Sequence, residues 1–106
     1  MVQNDACLKQ GGDGELLLTG ALSFASVPQL EGLLEPLQRP GQETVIDLRG
    51  VKRSDSAGLA LLVEWLRQTR QRGAKLTFRN IPEQMQAMAR ISQVYGLLND
   101  EAPDAD

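Results

Sequence analysis

The sequence contains no histidine and only one cysteine, Cys7, among its 106 residues. Histidine is the commonest metal ligand and general base near neutral pH, so its absence excludes Ser-His-Asp and Cys-His catalysis and argues strongly against a metal hydrolase. A single cysteine cannot form a disulfide within the chain. These absences predict a protein that is not an enzyme and that uses neither a metal nor a cofactor.

Long apolar runs and an excess of positive charge are also missing. No apolar run approaches the length of a membrane span, and residues 1–5 do not combine a basic start with an apolar stretch, as a targeting segment does. Eleven Lys and Arg residues stand against fourteen Asp and Glu residues, which gives a net charge of −3. Because this balance opposes binding to nucleic acid, we expect a cytoplasmic protein that reaches a membrane only through a partner.

The remaining composition is that of an ordinary folded domain, with 42% hydrophobic and 24% charged residues. The length allows one core, so we expect a single domain over residues 6–98. Residues 99–106 are acidic, small and interrupted by Pro103, and we expect this tail to lack a fixed structure.

Hydrophobic periodicity predicts an α/β domain, with a small mixed sheet of four to five strands and three to four helices packed against it. The strand, helix and strand order in the middle of the chain predicts parallel pairing. Capping patterns, Ser26 with Gln29 and Asn80 with Glu83, predict where the first and third helices start. The predicted strands are 7–10, 15–19, 44–48 and 75–79, and the first two helices are 27–35 and 57–71.

A polar loop is predicted between the third strand and the second helix, and it ends at Ser56. Unpaired N–H groups and the helix dipole favour negative charge at such a position, so Ser56 is a candidate site for a phosphoryl group. The structural alternative is that Ser54, Asp55 or Ser56 only caps the helix, and that Gly58 allows the helix to approach a strand closely.

The second helix carries two apolar faces. One face, which includes Leu59, Leu62 and Leu66, is expected to contact the sheet. Ala57, Leu61 and Trp65 form a second stripe, which Gln68 continues. Either Trp65 packs sideways against a neighbouring helix, or the stripe points outward and is a docking surface for a partner protein.

The string from Asp47 to Leu62 resembles the signature of STAS domains, the sulfate transporter and anti-sigma factor antagonist family, and the likeness extends from about residue 7 to residue 98. The resemblance implies the STAS fold and a non-catalytic, protein-binding role. In anti-sigma factor antagonists of this family, a partner kinase phosphorylates the residue that corresponds to Ser56. Two features depart from that pattern: Ala57 replaces a frequent second serine, and Lys52-Arg53 is basic where an apolar residue often stands.

The basic loop and the segment from Leu22 to Pro28 are more similar to the cytoplasmic STAS subunits of Mla phospholipid ABC transporters. That resemblance implies a subunit that binds and supports the transporter's ATPase, with phosphorylation of Ser56 by an anti-sigma factor kinase as the alternative. The residues expected to bind the partner are Arg53, Asp55, Ser56, Ala57, Gly58, Leu61, Trp65 and Gln68.

Overall fold

The computed structural model describes residues 6–11, 14–38 and 41–98, in which two strands come first, helices and strands then alternate, and two helices come last. The strands are β1 (Cys7–Gln10), β2 (Leu16–Leu22), β3 (Glu43–Ser54) and β4 (Lys75–Arg79). The helices are α1 (Val27–Leu30), α2 (Ser56–Gln71), α3 (Glu83–Ile91) and α4 (Tyr95–Leu98), with a 3₁₀ turn at Glu35–Leu37. The predicted α/β class is confirmed.

The sheet has the order β1-β2-β3-β4, with β1 and β2 antiparallel and the other two pairs parallel. The connection between β1 and β2 is closed by a hydrogen bond from the Gly11 N–H to the Glu15 carbonyl at 2.6 Å. Gly14 has a φ of +89°, a conformation that glycine adopts without strain. Gly12 and Asp13 lie outside the described residues.

β3 is longer than predicted and includes the segment that we interpreted as a polar loop. Residues 49–54 continue the strand because they pair with β2, with Gly50 opposite Thr19 and Ser54 opposite Leu22. The pairing contains two register irregularities, so the simple alternation that reveals a strand in a sequence is broken there. A Cβ at Gly50 would lie 2.6 Å from the Thr19 Cγ2, which explains glycine at this position.

One face of the sheet forms the core with the helices. Leu18, Ile46 and Leu48 from the sheet are fully buried together with Leu62 from α2 and Met85 from α3. The apolar face that we predicted for α2 is therefore confirmed as a core face. The third helix likewise buries Met85 and Ala89.

The first helix is much shorter than predicted, since it ends at Leu30 rather than near Glu35. Gly32 disfavours helix, and Pro36 disfavours the helical conformation of the residue before it. The capping box predicted at Ser26 is wrong as well. The Ser26 hydroxyl donates to the Ala21 carbonyl at 2.8 Å and makes no cap hydrogen bond to α1.

The third helix begins after Pro82, and the prediction that Asn80 caps it is wrong. Asn80 has a positive φ of 58°, and its side-chain amide donates to Asp47 on β3 at 3.0 Å. Within the part of the chain that the structure describes, no helix is long and apolar enough to span a bilayer. The acidic tail, residues 99–106, lies outside the described residues.

Candidate functional site

The N-terminus of α2 is formed by three consecutive residues with different roles. Asp55 is the N-cap, and its carboxylate accepts a hydrogen bond from the Ala57 N–H at 2.8 Å. Ser56 follows as the first helical residue and its side chain is exposed. The capping alternative is therefore confirmed for Asp55, whereas the Ser56 hydroxyl remains open to solvent for a partner or a modifying enzyme.

A close contact between helix and sheet holds this end of α2 in place. A Cβ at Gly58 would lie 2.0 Å from the Ser54 Oγ and 2.7 Å from the Leu22 Cβ, so only glycine fits without rearrangement. The predicted role of Gly58 in close packing is thus confirmed. Because Gly58 is buried, it supports the surface around Ser56 from below and is not exposed for direct contact with a partner.

The predicted outward stripe on α2 is wrong, because Trp65 is fully buried and Leu61 is only 2% exposed. The Trp65 indole packs towards the α1 side of the domain, where its Nε1 donates a hydrogen bond to the Glu31 carbonyl at 3.2 Å. The alternative interpretation, in which Trp65 packs sideways against a neighbouring helix, is the correct one. Ala57 is also buried, with 8% exposure.

A groove of about 500 Å³ lies between the α1 segment and α2, and the buried side chains of Leu61 and Trp65 support it from beneath. Phe24, in the turn before α1, lines the groove and is 75% exposed. The groove is lined by Phe24, Val27, Pro28, Glu31, Ala57, Ala60, Leu61, Glu64, Trp65 and Gln68. We call this surface the α1–α2 groove.

Phe24 is the large exposed hydrophobic residue among the groove residues that were not predicted from the sequence, which also include Val27, Pro28, Glu31, Ala60 and Glu64. It lies in a turn between Ser23 and Ala25, so it belongs to neither the alternation of β2 nor the period of α1. A large aromatic side chain in a turn of small polar residues was the available signal. Because Phe24 adjoins an apolar groove and does not stand alone on the surface, it is a candidate contact residue.

The structure divides the predicted partner-binding residues between two neighbouring depressions. Ala57, Leu61, Trp65 and Gln68 line the α1–α2 groove. Arg53 and Asp55 instead line a smaller crevice of about 260 Å³ at the end of β2 and β3. The chain passes from the crevice to the groove at Ser56.

The far rim of the α1–α2 groove is acidic and ordered by hydrogen bonds. The Glu64 carboxylate accepts hydrogen bonds from Arg67, at 3.0 Å from its Nε, and from the Gln68 side-chain amide at 2.9 Å. The bond from Arg67, followed by that from Gln68, holds the pKa of Glu64 below its ordinary value. Glu64 is therefore ionised at neutral pH, and its charge is paired with that of Arg67 beside the groove.

The other polar cluster, around Asp47 on β3, is structural. Its Oδ1 accepts hydrogen bonds from the Arg49 N–H at 2.8 Å and from Asn80 at 3.0 Å. Burial alone raises the pKa of Asp47, but these hydrogen bonds and the positive charges of Arg49 and Arg79 outweigh it, so the pKa is lowered. A carboxylate that is so fully engaged holds β3 against the loop after β4.

Among residues 6–11, 14–38 and 41–98, no group of three or more Asp, Glu or Cys side chains is placed to hold a metal ion. The exposed features near the start of α2 are a hydroxyl, a cation at Arg53 and an apolar groove with an acidic rim. This arrangement can form hydrogen bonds, ion pairs and apolar contacts with a partner. It defines a small α/β domain with a surface suited to protein recognition.

Comparison with known proteins identifies the family. A family model described as "Mlab, STAS domain" matches residues 8–99. The chain belongs to the STAS domain family. STAS domains mediate protein–protein interactions and are generally not enzymes.

A solved structure described as "Crystal Structure Analysis of Mglu" is similar in fold, with a TM-score of 0.54 and 23% sequence identity. The match covers 73% of this chain but only 19% of that protein, so this chain spans about a fifth of its length. At this identity the likeness concerns the fold alone. A search of curated proteins finds no match.

Proposed function

We propose that this STAS domain is the subunit that binds and supports the ATPase of an Mla-type phospholipid ABC transporter, which maintains the lipid asymmetry of the outer membrane. The match to a family model described as "Mlab, STAS domain" supports this proposal. The structural observation that carries it is the α1–α2 groove, with the exposed Phe24 at its edge and Ser56 at the start of the helix that forms its floor. The domain would act in the cytoplasm, at the inner membrane through its partner.

The groove has the physical properties of a contact surface for one partner segment. Phe24 presents an apolar ring to water, and covering it removes that unfavourable exposure. The walls formed by Val27, Pro28 and Ala60 are apolar, whereas Glu64 and Gln68 supply hydrogen-bonding groups at the rim. Because Trp65 and Leu61 are packed beneath the groove, its shape exists before a partner binds. Binding therefore costs little conformational entropy on this side of the interface.

The proposal predicts that a tagged chain, isolated from cells that carry an Mla-type transporter, retains the ATPase subunit of that transporter. Phe24→Ala should weaken binding roughly 5- to 150-fold, since loss of a buried aromatic anchor costs about 1–3 kcal/mol. Binding of the purified ATPase, measured by calorimetry, gives the magnitude. ATP hydrolysis by the complex gives the functional consequence.

Ile91→Ala is the matched control, because Ile91 is 83% exposed on α3, away from the groove. It removes a similar apolar area from the surface and should leave ATPase binding unchanged. Both variants should unfold at the temperature of the wild type, because both side chains are exposed. Equal binding by wild type and Phe24→Ala, or no retained ATPase, would contradict the proposal.

A second candidate function is anti-sigma factor antagonism controlled by phosphorylation of Ser56. Exposure of Ser56 at the N-terminus of α2 favours it, since a kinase needs access to the hydroxyl. A phosphoryl group there is stabilised by the helix dipole, so modification would alter the surface while α2 stays folded. Asp55 next to it would oppose the added charge.

Incubation with kinase-fold anti-sigma factors and ATP separates the two functions. If the second is correct, the wild-type chain gains the mass of one phosphoryl group, Ser56→Ala gains none, and Ser92→Ala, which removes another exposed hydroxyl, behaves as wild type. If the first is correct, the ATPase binds unmodified protein and these kinases produce no mass change.

A further inference from the structure

A second groove lies between the C-terminal half of α2 and α4, and it shares no residue with the α1–α2 groove. Its volume is about 470 Å³. Val63 and Leu66 of α2 and Leu97 of α4 form an apolar floor, and Arg67, Arg70 and Gln71 form the rim. We call it the α2–α4 groove. Apolar surface beneath two cations fits a segment that is both acidic and partly apolar.

The two arginines of the rim differ in how they are satisfied. Arg67 forms an ion pair with Glu64 on the same face of α2. Arg70 is exposed, and no residue within the described ranges pairs with its guanidinium. A carboxylate placed near Arg70 would gain a charge-assisted hydrogen bond without breaking an existing pair.

The chain itself carries a segment of the required chemistry directly beside this groove. Residues 99–106 contain four acidic residues, Asp100, Glu101, Asp104 and Asp106, interspersed with Ala102, Pro103 and Ala105. The segment follows Leu98, whose neighbour Leu97 already lines the groove. We infer that residues 99–106 bind in the α2–α4 groove, with a carboxylate at Arg70 and their small apolar residues on the floor.

The segment is long enough to extend from one arginine of the rim to the other. An extended chain advances about 3.3–3.6 Å per residue, so Glu101 reaches roughly 10 Å from Leu98. Arg67 and Arg70 are separated by about 4.5 Å along the axis of α2, well within that range. Attachment through α4 gives the segment a high effective concentration at the groove. Alanine and proline lose almost no side-chain entropy on binding, which lowers the entropic cost of ordering the segment.

A spin label on the segment tests the inference in the full chain. Ala105→Cys in a Cys7→Ser background gives one attachment site and leaves every acidic residue in place. In spectra of the ¹⁵N-labelled protein, the amides of residues 66–71 and 97 should broaden more than those of residues 27–31. High salt should remove the difference, since ion pairs at the surface are screened. Equal broadening of the two groups would overturn the inference.

Charge variants identify the contact. Arg70→Glu and Arg70→Gln should each abolish the selective broadening, whereas Lys52→Glu, an equal charge reversal at an exposed position on β3, should preserve it. In the Arg70→Glu background, replacing Asp100 and Glu101 with lysine should restore it. Retention of the broadening in both Arg70 variants would contradict the contact.

A mixed sample tests for binding between molecules. It combines chains that carry the spin label but no ¹⁵N with chains that carry ¹⁵N but no spin label. The inference requires no selective broadening in this mixture. Broadening there would assign the groove to the segment of a second copy and would overturn binding within one chain.

Discussion

The indole of Trp65 and the backbone carbonyl of Glu31 are joined by a hydrogen bond of 3.2 Å, which ties α2 to the turn that follows α1. Trp65 is fully buried, although it lies beneath the surface that we propose for partner binding. The residue thus shapes the α1–α2 groove without being accessible to a partner. A substitution of Trp65 is therefore expected to change the stability of the fold, and to affect binding only through that change.

Trp65→Ala should lower the free energy of unfolding by about 3–5 kcal/mol, because it leaves a large cavity beneath α1. Trp65→Phe should cost less, about 1–2 kcal/mol, since the ring is largely kept while the hydrogen bond to Glu31 is lost. Urea denaturation measures both values. A Trp65→Ala protein within 0.5 kcal/mol of the wild type would show that the indole is not a core residue.

Gly58→Ala should destabilise the domain by about 1–3 kcal/mol, because the new methyl group overlaps Ser54 and the Leu22 Cβ. Helix propensity alone predicts the opposite, a gain of about 1 kcal/mol. Gly32→Ala is the matched control, since a Cβ there meets nothing within 4 Å and the backbone is not in the left-handed region. The control should be neutral or stabilise by up to about 1 kcal/mol. Thermal unfolding of both variants measures these changes. A stabilised Gly58→Ala protein or a clearly destabilised Gly32→Ala protein would contradict the prediction.

Gly50→Ala should destabilise the pairing of β2 with β3, because the new Cβ lies 2.6 Å from the Thr19 Cγ2. Thr19→Ser removes that Cγ2 and should relieve part of the cost when the two changes are combined. The expected coupling in a double-mutant cycle is about 0.5–3 kcal/mol, measured by chemical denaturation. If the stability changes of the two single variants simply add in the double variant, the cost of a Cβ at position 50 comes from a contact other than Thr19.

Asp47 should make the stability of the domain depend on pH in the acid range. Its pKa is lower in the folded protein than its ordinary value of 3.8, so its contribution is complete above about pH 5 and is lost as the pH falls through the folded pKa. Asp47→Asn should cost about 1–2 kcal/mol at pH 7, because the charge-assisted hydrogen bonds become neutral ones. The difference from wild type should shrink as the pH is lowered.

Urea denaturation between pH 2 and pH 7 measures this dependence. Glu83→Gln is the control, because Glu83 is an exposed carboxylate, with a side chain 79% accessible, in a surface ion pair with Arg90. This control should change the free energy of unfolding by less than about 0.5 kcal/mol at neutral pH. If Asp47→Asn lowers the free energy of unfolding by the same amount from pH 7 to pH 2, the lowered pKa of Asp47 in the folded protein is contradicted.

Features that depend on neighbouring residues in the chain could be predicted from the sequence. The helix predicted over 57–71 is α2, Ser56–Gln71, because its apolar period and its Asp55 cap are local signals. The parallel pairing of β3 with β4 followed from a strand, a helix and a second strand in succession. One failure also had a local cause, since Gly32 and Pro36 shorten α1. The other did not, because irregular pairing with the distant strand β2 hides the second half of β3.

Only the tertiary structure decided what covers each apolar surface. A 3.6-residue period shows that Leu61 and Trp65 share a face of α2, but it contains no information about which element packs there. The position of α1 buries that face, and the preceding turn leaves Phe24 exposed at the groove's edge. Burial depends on contacts between residues distant in the chain, and Glu31 meets Trp65 across 34 positions. The sequence by itself therefore determined the elements and the family resemblance, while packing decided which side chains a partner can reach.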